Sequence, residues 1–367
     1  MSKAGEPTGP SDDASVPKSA YSAAGVDIDA QDEALDRIKA MVASTATEGV
    51  LSETGSFGGL FALGARTGSD PVLVASADGV GTKLMVAGMA RDYSTVGRCL
   101  VNHCVNDILV QGAVPLFFLD YVGGGVLDPA AVAELVEGVT AGCRENGCAL
   151  LGGETAEMPG FYQPGDYELV GFVVGLVQRG ELLDGRRVVD GDVLVGLPSS
   201  GLHTNGYSLA RNILFERLGL SLGDPIPGVD DGRSVGGHLL DVHKSYLKAI
   251  RPLLGGQSLH GMAHITGGGL VDNLPRVLPE GHRAWVDRSS WEVPAIFRAL
   301  QEHGSVSDDE MFRVFNMGVG LVLYLARDGV EDALATLRAA GEQPWVLGSV
   351  RQGGDGVVLA ESAEDGA

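Results

Sequence analysis

The sequence predicts a mixed α/β protein made of two halves. Short apolar runs, typical of buried strands, alternate with longer segments whose apolar residues recur at a helical period. At 367 residues, the chain exceeds the usual size of a single hydrophobic core, so we expect two domains. A charged, turn-rich stretch over 184–192 separates the halves. We therefore divide the chain into residues 19–188 and 189–360.

The first half contains predicted strands and two predicted helices. Apolar residues recur from Val96 to Val110 with a helical period, and Gly112 and Pro115 end that helix. The pair Asp128-Pro129 is typical of an N-cap followed by the first helical position, and it predicts a helix that runs to about Asn146. The predicted strands are Val72–Ala75, Leu116–Val122, Ala149–Leu151 and Tyr167–Val177.

The second half repeats this alternation. A strand is followed by a polar, glycine-rich loop and a helix from about Tyr207, and the glycines of 266–269 precede another helix. The other elements predicted here are strands Val193–Leu197, Ala284–Val286, Val319–Leu325 and Val346–Val350 and helix Val330–Ala340. Residues 1–18, rich in Ser, Pro, Gly, Asp and Ala, are expected to form a disordered arm, and 361–367 a short acidic tail.

The charge balance excludes some classes of partner. The 48 acidic residues outnumber the 26 basic ones, for a net charge of −22. Nucleic acid and anionic membranes are therefore poor partners. An anionic substrate would need local cations or a metal ion. Adaptation of the surface to high salt is an alternative explanation for the excess of acids.

The cysteines and the apolar runs indicate a cytoplasmic protein. The four cysteines form no C-x-x-C pair, and two of them lie in an apolar helical pattern, so we expect buried free thiols in a reducing cytoplasm. No apolar run reaches the roughly 18 residues that a membrane span requires, and the N-terminus lacks the apolar core of a signal peptide.

Three carboxylates at apolar segments predict a metal site. Asp78 follows the first apolar strand, Asp107 lies on a mostly apolar helix, and Glu154 closes the run 149–153. Ionised acids near a core are costly unless a partner compensates them. Beside glycine-rich turns, their convergence would suit Mg²⁺ with the phosphates of a nucleotide. Alternatively, Asp107 caps a helix or bonds to a neighbouring polar side chain.

The segment 78–83, D-G-V-G-T-K, follows a strand and is a candidate phosphate loop. Gly79 and Gly81, with Thr82, expose backbone N–H groups, and Lys83 can offer a point charge to a phosphate. The spacing is not that of a Walker A loop. The alternative is a strand-end turn with a solvated lysine.

Two loops of the second half are candidate substrate loops. Each leads into a helix, where small donors and N–H groups suit a phosphate. His203 and His264 lie in these loops and can transfer protons, although a structural role is an alternative for each. The candidate substrate-binding residues are Ser199, Ser200, Thr204, Asn205, Gly267 and Gly268.

Taken together, these motifs closely resemble the aminoimidazole ribonucleotide synthetases, also called phosphoribosylformylglycinamidine cyclo-ligases. The resemblance extends in order from about residue 20 to residue 350, and the ordered set is far more specific than any one segment. The matching segments are Tyr21–Asp29, Phe57–Leu60, Asp78–Lys83, Cys104–Gly112, Pro115–Tyr121, Gly152–Gly160, Ser199–Leu209, His264–Gly269 and Phe315–Gly320.

The resemblance implies an ATP-dependent ring closure in purine biosynthesis. Formylglycinamidine ribonucleotide and ATP would give aminoimidazole ribonucleotide, ADP and phosphate. It also implies a homodimer formed through mainly antiparallel N-terminal sheets, a three-layer α/β/α C-terminal domain, and ATP between the domains. Gly25, Val26 and Asp27 would close over ATP, and the three acids would bind Mg²⁺. Lys83, His203 and His264 would be the catalytic candidates.

This sequence departs from the family pattern at three positions. Ser22 stands where a basic residue is frequent, Cys99 where an Asp is common and His103 where a Met is common. A fourth acid near the metal is therefore expected to be absent.

Three other interpretations compete with this one. One rival is a sibling that phosphorylates another small substrate, such as a thiamine monophosphate kinase. A selenophosphate synthetase would carry a cysteine before Cys99, which this chain lacks. The rival of a different class is a non-catalytic nucleotide-binding protein.

Overall fold

The computed structural model describes residues 38–51, 59–64 and 68–361. The predicted arm, the segment Gly25–Asp27 and the tail beyond residue 361 lie outside the described residues. Within them, the chain forms a four-stranded sheet in the first half and a six-stranded sheet in the second.

The first sheet has the order β1-β4-β2-β3. Strand β4 is antiparallel to β1 and β2, and β2 is parallel to β3, so the sheet is mainly antiparallel as predicted. The Asp128 carboxylate accepts a hydrogen bond from Ala130 N at 3.0 Å, which confirms the predicted N-cap of α3. The elements are β1 Pro71–Gly79, α1 Lys83–Ala90, α2 Val96–Leu109, β2 Val114–Gly124, α3 Pro129–Asn146, β3 Ala149–Glu157 and β4 Tyr167–Gln178.

The second sheet has the order β10-β7-β9-β5-β8-β6. The pair β10 and β7 is parallel, and the other pairs described are antiparallel. A π-helical segment, Asn212–Arg217, continues α4. The elements are β5 Val193–Pro198, α4 Tyr207–Arg211, α5 Val235–Leu239, α6 Leu247–Ile250, β6 Leu259–His264, α7 Gly269–Asn273, β7 His282–Asp287, α8 Ala295–Gly304, α9 Asp308–Val314, β8 Val319–Leu325, α10 Val330–Ala339, β9 Trp345–Gln352 and β10 Gly356–Ala360.

The second sheet is the middle of three layers. Successive side chains of a strand point to opposite faces, and both faces of β5 and β8 are buried. Val195 and Leu197 join a core that contains α2 and α10, whereas Leu194 joins a second core under α4, α8 and α9. The predicted fold class is therefore confirmed.

Helix α2 connects the two halves through its polar edge. Asn106 Nδ2 donates to Lys244 O at 2.8 Å, and its Oδ1 accepts from Tyr246 N at 3.1 Å. Asn102 Nδ2 donates to His243 O at 2.8 Å. The segment 243–246 is thus held against α2. Side chains of both halves therefore meet at one junction.

The two faces of the first sheet differ. Helices α2 and α3 cover one face, with Leu100, Cys104 and Phe118 fully buried there. Among the described residues, the other face leaves Leu73 58% and Phe172 40% exposed. A sheet face this apolar is suited to contact with another protein surface.

The cysteines agree with the expectation of buried free thiols. Cys99, Cys104, Cys143 and Cys148 are buried and form no disulfide. Among the described helices, none combines the length and apolar character that a membrane span requires.

Candidate functional site

A cavity of about 760 Å³ lies where the two halves meet. It is bordered by the end of β1, the polar edge of α2, the end of β6 and the loops that precede α4 and α7. The polar side chains that line this cavity include Asp78, His103, Asp107, Asn205, His264 and Arg276.

Two of the predicted metal ligands face this cavity together with a histidine. His103 Nε2 lies 2.9 Å from Asp78 Oδ2 and 3.6 Å from Asp107 Oδ2. Burial raises the pKa of Asp78, but the hydrogen bond and the charge of His103 outweigh burial, so this pKa lies below its usual value. Burial also raises the pKa of Asp107, but the contacts with His264 and His103 outweigh burial. The pKa of Asp107 therefore lies below its usual value, and this acid is likewise ionised.

Four histidine side chains form a buried cluster beside the two acids. His264 Nδ1 lies 2.8 Å from Asp107 Oδ1, and its Nε2 lies 3.1 Å from His243 Nε2. His203 stacks on His243 with ring centroids 3.9 Å apart. Burial lowers the pKa of His203 and of His243 well below the usual value, so both rings are neutral near pH 7. His203 Nε2 accepts from Ser200 N at 3.1 Å.

Lys83 lies beneath the site rather than on its surface. Its side chain is fully buried, and its Nζ donates to His203 O at 3.0 Å and also to Asp241 O. The ammonium therefore joins the two loops that carry His203 and His243. This placement does not bring Lys83 to the cavity, where the predicted phosphate contact would lie.

The candidate phosphate loop meets the first substrate loop. Thr82 Oγ1 lies 3.0 Å from Ser208 Oγ at the start of α4. Gly79 N donates to the carboxylate of Asp78 at 2.7 Å, which fixes that acid at the strand end. Gly81 adopts φ +56°, a conformation that favours glycine. The structure thus brings the two predicted loops together.

The predicted substrate residues fall into two groups. Asn205 and Gly267 line the cavity, and Asn205 Nδ2 is buried without a hydrogen-bond partner. Ser199 and Ser200 instead donate to backbone carbonyls, of Gly201 at 2.9 Å and of Val242 at 2.6 Å. These two serines therefore shape the loop.

The two remaining predicted substrate residues also have defined places. Thr204 Oγ1 lies 2.6 Å from His103 Nδ1 and belongs to the histidine cluster. Gly268 adopts φ +94° and is the N-cap of α7.

Glu154 does not join the other two acids within one chain. Strands β4 and β2 separate it from β1, and three strand spacings amount to roughly 14 Å. Its row in the sheet runs through Tyr121 to Gly79. Because side chains alternate, Glu154 lies on the face opposite Asp78. It is exposed, and its carboxylate accepts from Thr155 N at 2.9 Å.

Position 99 does not belong to the candidate metal site. Cys99 is buried, accepts a hydrogen bond from His243 N at 3.3 Å and lies against Lys83. An acid at this position would therefore pair with Lys83. We expected the lack of an acid at position 99 to remove a metal ligand. The geometry corrects this expectation, because position 99 faces Lys83.

Sequence reasoning missed two residues of the site. His243 lies in Leu240–Tyr246, a segment with no recognisable motif, and its role is visible only once α2 packs on it. Arg276 follows α7 and lies at the cavity as an exposed cation in an acidic chain. In the sequence, the position of Arg276 shortly after a glycine-rich loop was the feature that could have indicated a role at the site.

The chain matches two family descriptions in succession. Residues 59–177 match the AIR synthase related protein N-terminal domain, and residues 189–361 match the AIR synthase related protein C-terminal domain.

Curated relatives match nearly the whole chain. A phosphoribosylformylglycinamidine cyclo-ligase of Trichlorobacter lovleyi is 50% identical over 337 residues, which cover 92% of this chain and 96% of the relative. The protein of the same name from Geobacter sulfurreducens is 50% identical over 341 residues, with coverage of 93% and 97%. That from Alkaliphilus metalliredigens is 45% identical over 346 residues, with coverage of 94% and 99%.

Solved structures share the fold at low identity. A thiamine-monophosphate kinase from Stenotrophomonas maltophilia aligns with a TM-score of 0.63 and 18% identity, and covers 90% of this chain and 96% of its own. The E. coli hydrogenase maturation protein HypE aligns with a TM-score of 0.63 and 19% identity, with coverage of 89% and 93%. A HypE structure in complex with ATP aligns with a TM-score of 0.56 and 20% identity over 77% of each chain.

Proposed function

Because the chain belongs to the phosphoribosylformylglycinamidine cyclo-ligase family, we infer that it closes the imidazole ring of aminoimidazole ribonucleotide in purine biosynthesis. Formylglycinamidine ribonucleotide is the substrate, and ATP is consumed to ADP and phosphate. The enzyme is a ligase that forms a C–N bond. We propose that the reaction takes place at the cavity between the halves. The supporting observation is that Asp78, Asp107 and the candidate loops of both halves meet there.

The donor set at this cavity fits Mg²⁺. Asp78 and Asp107 are both ionised and approach the same ring nitrogen of His103. Proteins usually bind Mg²⁺ through one or two carboxylates, and the phosphates of the substrate supply further ligands. A bound Mg²⁺ would neutralise phosphate charge in a chain whose net charge is −22. Glu154 has no part in this pair within one chain, and we propose no ligand role for it there.

Backbone and side-chain donors of the cavity suit two phosphorylated ligands. We propose that the N–H groups of Gly81 and Thr82 contact the phosphates of ATP at the end of β1, beside Gly79, whose N–H donates to Asp78. Asn205 Nδ2 is a buried donor without a partner, and such a group gains a full hydrogen bond when a ligand acceptor reaches it. Arg276 at the same cavity offers a cation to the substrate phosphate.

The chemistry requires little from the protein beyond positioning. An amide oxygen is a poor leaving group, whereas the same oxygen carried away as phosphate leaves readily. ATP phosphorylates the formyl oxygen, the internal nitrogen attacks that carbon, and phosphate departs. Because the attack is intramolecular, holding the substrate in a reactive conformation supplies much of the rate. Fixed donors and cations stabilise the charge that spreads over the transferred phosphoryl group.

The three catalytic candidates receive different proposed roles. His264 lines the cavity beside Asp107 and is placed to act at the reacting groups or their ion. Lys83 and His203 are buried and bonded to backbone groups of the surrounding loops. We propose that these two act by positioning those loops. Gly25, Val26 and Asp27 lie outside the described residues and are proposed to close over ATP.

The exposed face of the first sheet supports a homodimer. Leu73, Phe172 and their neighbours form an apolar surface opposite the helices. We propose that two copies pair these faces, with residues 19–188 as the dimerisation and ATP-binding domain and 189–360 as the second domain. The four free, buried cysteines support a place in the reducing cytoplasm.

One assay tests the assignment. The purified full chain is mixed with ATP, Mg²⁺ and formylglycinamidine ribonucleotide, and ADP and aminoimidazole ribonucleotide are measured together. The proposal predicts equal amounts of the two products. ADP without the ring product would indicate a sibling kinase, and neither product would indicate a non-catalytic nucleotide-binding protein.

A further inference from the structure

Five ligand atoms from four residues around the cavity lie at distances found within a metal's coordination shell. Asp78 Oδ2 and His103 Nε2 are 2.9 Å apart, His103 Nε2 and Asp107 Oδ2 are 3.6 Å apart, and Asp107 Oδ1 and His264 Nδ1 are 2.8 Å apart. Neighbouring ligands of an ion with bonds of about 2.0–2.2 Å lie roughly 2.8–3.6 Å apart, from octahedral to tetrahedral angles. All four residues line the cavity, so an ion has an entry path.

The hydrogen bonds of Asn106 determine the tautomer of His243. Asn106 Oδ1 accepts from Tyr246 N, and its Nδ2 donates to Lys244 O, so the orientation of the amide is fixed by two backbone groups. The same Nδ2 lies 3.3 Å from His243 Nε2 and donates to it. The proton of the neutral His243 ring therefore lies on Nδ1, which is 3.3 Å from Thr204 Oγ1.

His264 has one nitrogen toward the acids and one toward the histidine cluster. Its Nδ1 lies 2.8 Å from Asp107 Oδ1, and its Nε2 lies 3.1 Å from His243 Nε2. The ligand atoms of His103, Asp107 and His264 all lie within 4.8 Å of one another, so one ion can contact all three.

His103 likewise has one ring nitrogen toward the acids and one toward the histidine cluster. Its Nε2 faces the two acids, and its Nδ1 lies 2.6 Å from Thr204 Oγ1. The Thr204 oxygen has two lone pairs, so it can accept from His103 Nδ1 as well as from His243 Nδ1. Histidines that bind metals characteristically donate their other ring N–H to such an outer partner. Both His103 and His264 have one.

We propose that Asp78, His103, Asp107 and His264 form a mixed nitrogen and oxygen site for a divalent first-row transition ion such as Mn²⁺ or Co²⁺. Imidazole ligands favour such ions, whereas Mg²⁺ favours oxygen ligands. The proposal rests on the proposed metal site of Asp78 and Asp107, and it adds that this chain's His103 changes the metal preference of that site.

The test compares metal binding by the full chain and its His103→Met variant. Each protein is freed of metal with a chelator and titrated with Co²⁺, followed by visible absorption, and with Mg²⁺, followed by calorimetry. We expect the variant to bind Co²⁺ at least about tenfold more weakly, with a much smaller change for Mg²⁺. His260, which pairs with Asp192 at 2.8 Å away from the cavity, provides a matched control: His260→Gln should leave Co²⁺ binding unchanged.

A spectroscopic readout identifies the ligands independently of turnover. Pulsed EPR of the Mn²⁺-loaded protein should show coupling to imidazole nitrogen, and this coupling should weaken in His103→Met. Equal Co²⁺ affinity in the parent and variant chains, or bound Mn²⁺ without nitrogen coupling, would overturn the proposal. If His103→Met does not fold, His103→Gln replaces it with the same measurements. Ring closure measured with Mg²⁺ reports separately on the proposed function.

Discussion

Asp107 Oδ1 and His264 Nδ1 lie 2.8 Å apart, although one residue is on a helix of the first half and the other ends a strand of the second. The contact depends on the packing of α2 against the segment 243–246. The site is therefore assembled only when both halves are folded together. A ligand that occupies the cavity should accordingly stabilise the junction of the two halves.

Substitution of either acid at the cavity should abolish most of the activity. Asp107→Asn and Asp78→Asn remove ligand charge while preserving shape, and we expect turnover to fall by about a hundredfold or more. Steady-state kinetics at saturating Mg²⁺ and circular dichroism give the measurements. Glu302→Gln is the matched control, because Glu302 is exposed on α8 and does not line the cavity, so this variant should keep the turnover of the parent chain. Near-normal turnover in both Asp variants would exclude these acids as metal ligands.

Lys83→Met should act on stability. The substitution leaves the carbonyls of His203 and Asp241 without their buried donor, which costs about 1–3 kcal/mol for each group that stays unsatisfied. Denaturant unfolding measures this loss. The opposite pattern, unchanged stability with a raised KM for ATP, would indicate that Lys83 contacts a phosphate after all.

Asp120→Asn should change how stability depends on pH. Burial raises the pKa of Asp120 to about 7 from the usual 3.8. The folded state therefore binds this proton more tightly than the unfolded state. Its contribution to stability is fully present below pH 3.8 and is lost as the pH rises through about 7. The shift corresponds to at most about 4 kcal/mol.

The neutral amide of the Asp120→Asn variant removes that dependence. Between about pH 4 and about pH 8, the difference in unfolding free energy between the variant and the parent chain should move in favour of the variant. Urea unfolding at several pH values measures it. A difference that is the same at about pH 5 and about pH 8 would show that Asp120 is not the group responsible.

Phe172→Glu should separate the proposed dimer. A carboxylate on the exposed apolar face of the first sheet would have to be desolvated in the interface, which is unfavourable without a partner. Light scattering after size-exclusion chromatography should give half the mass of the parent protein. Val346, 49% exposed on β9 of the other sheet, provides the control, since Val346→Glu should leave the mass unchanged. A parent chain that is already monomeric would contradict the proposal.

Local patterns were sufficient to predict most strands and the capped helix α3. The N-cap at Asp128 and the helical period over Val96–Leu109 are properties of neighbouring residues, and they survive in the structure. Strand β6, Leu259–His264, was not predicted, because its histidines and its glycine interrupt the apolar run. Its buried position follows from pairing with β8, which no local pattern encodes.

The site was predicted less completely than the fold. Asp78, Asp107, His264, Asn205 and Gly267 do lie at one cavity, because each ends or precedes an element at the junction of the halves. Lys83 resembles a solvated phosphate ligand in the sequence, but α1 buries it. Strand order decides that Glu154 is remote, and strand order depends on long-range pairing.

The fate of the formyl oxygen tests the account most directly. Formylglycinamidine ribonucleotide labelled with ¹⁸O in the formyl group is converted with ATP and Mg²⁺, and the released phosphate is examined by mass spectrometry. Phosphorylation of that oxygen predicts one ¹⁸O atom in each inorganic phosphate, with aminoimidazole ribonucleotide formed in equal amount. Unlabelled phosphate, with the label found in water, would contradict activation of the amide oxygen.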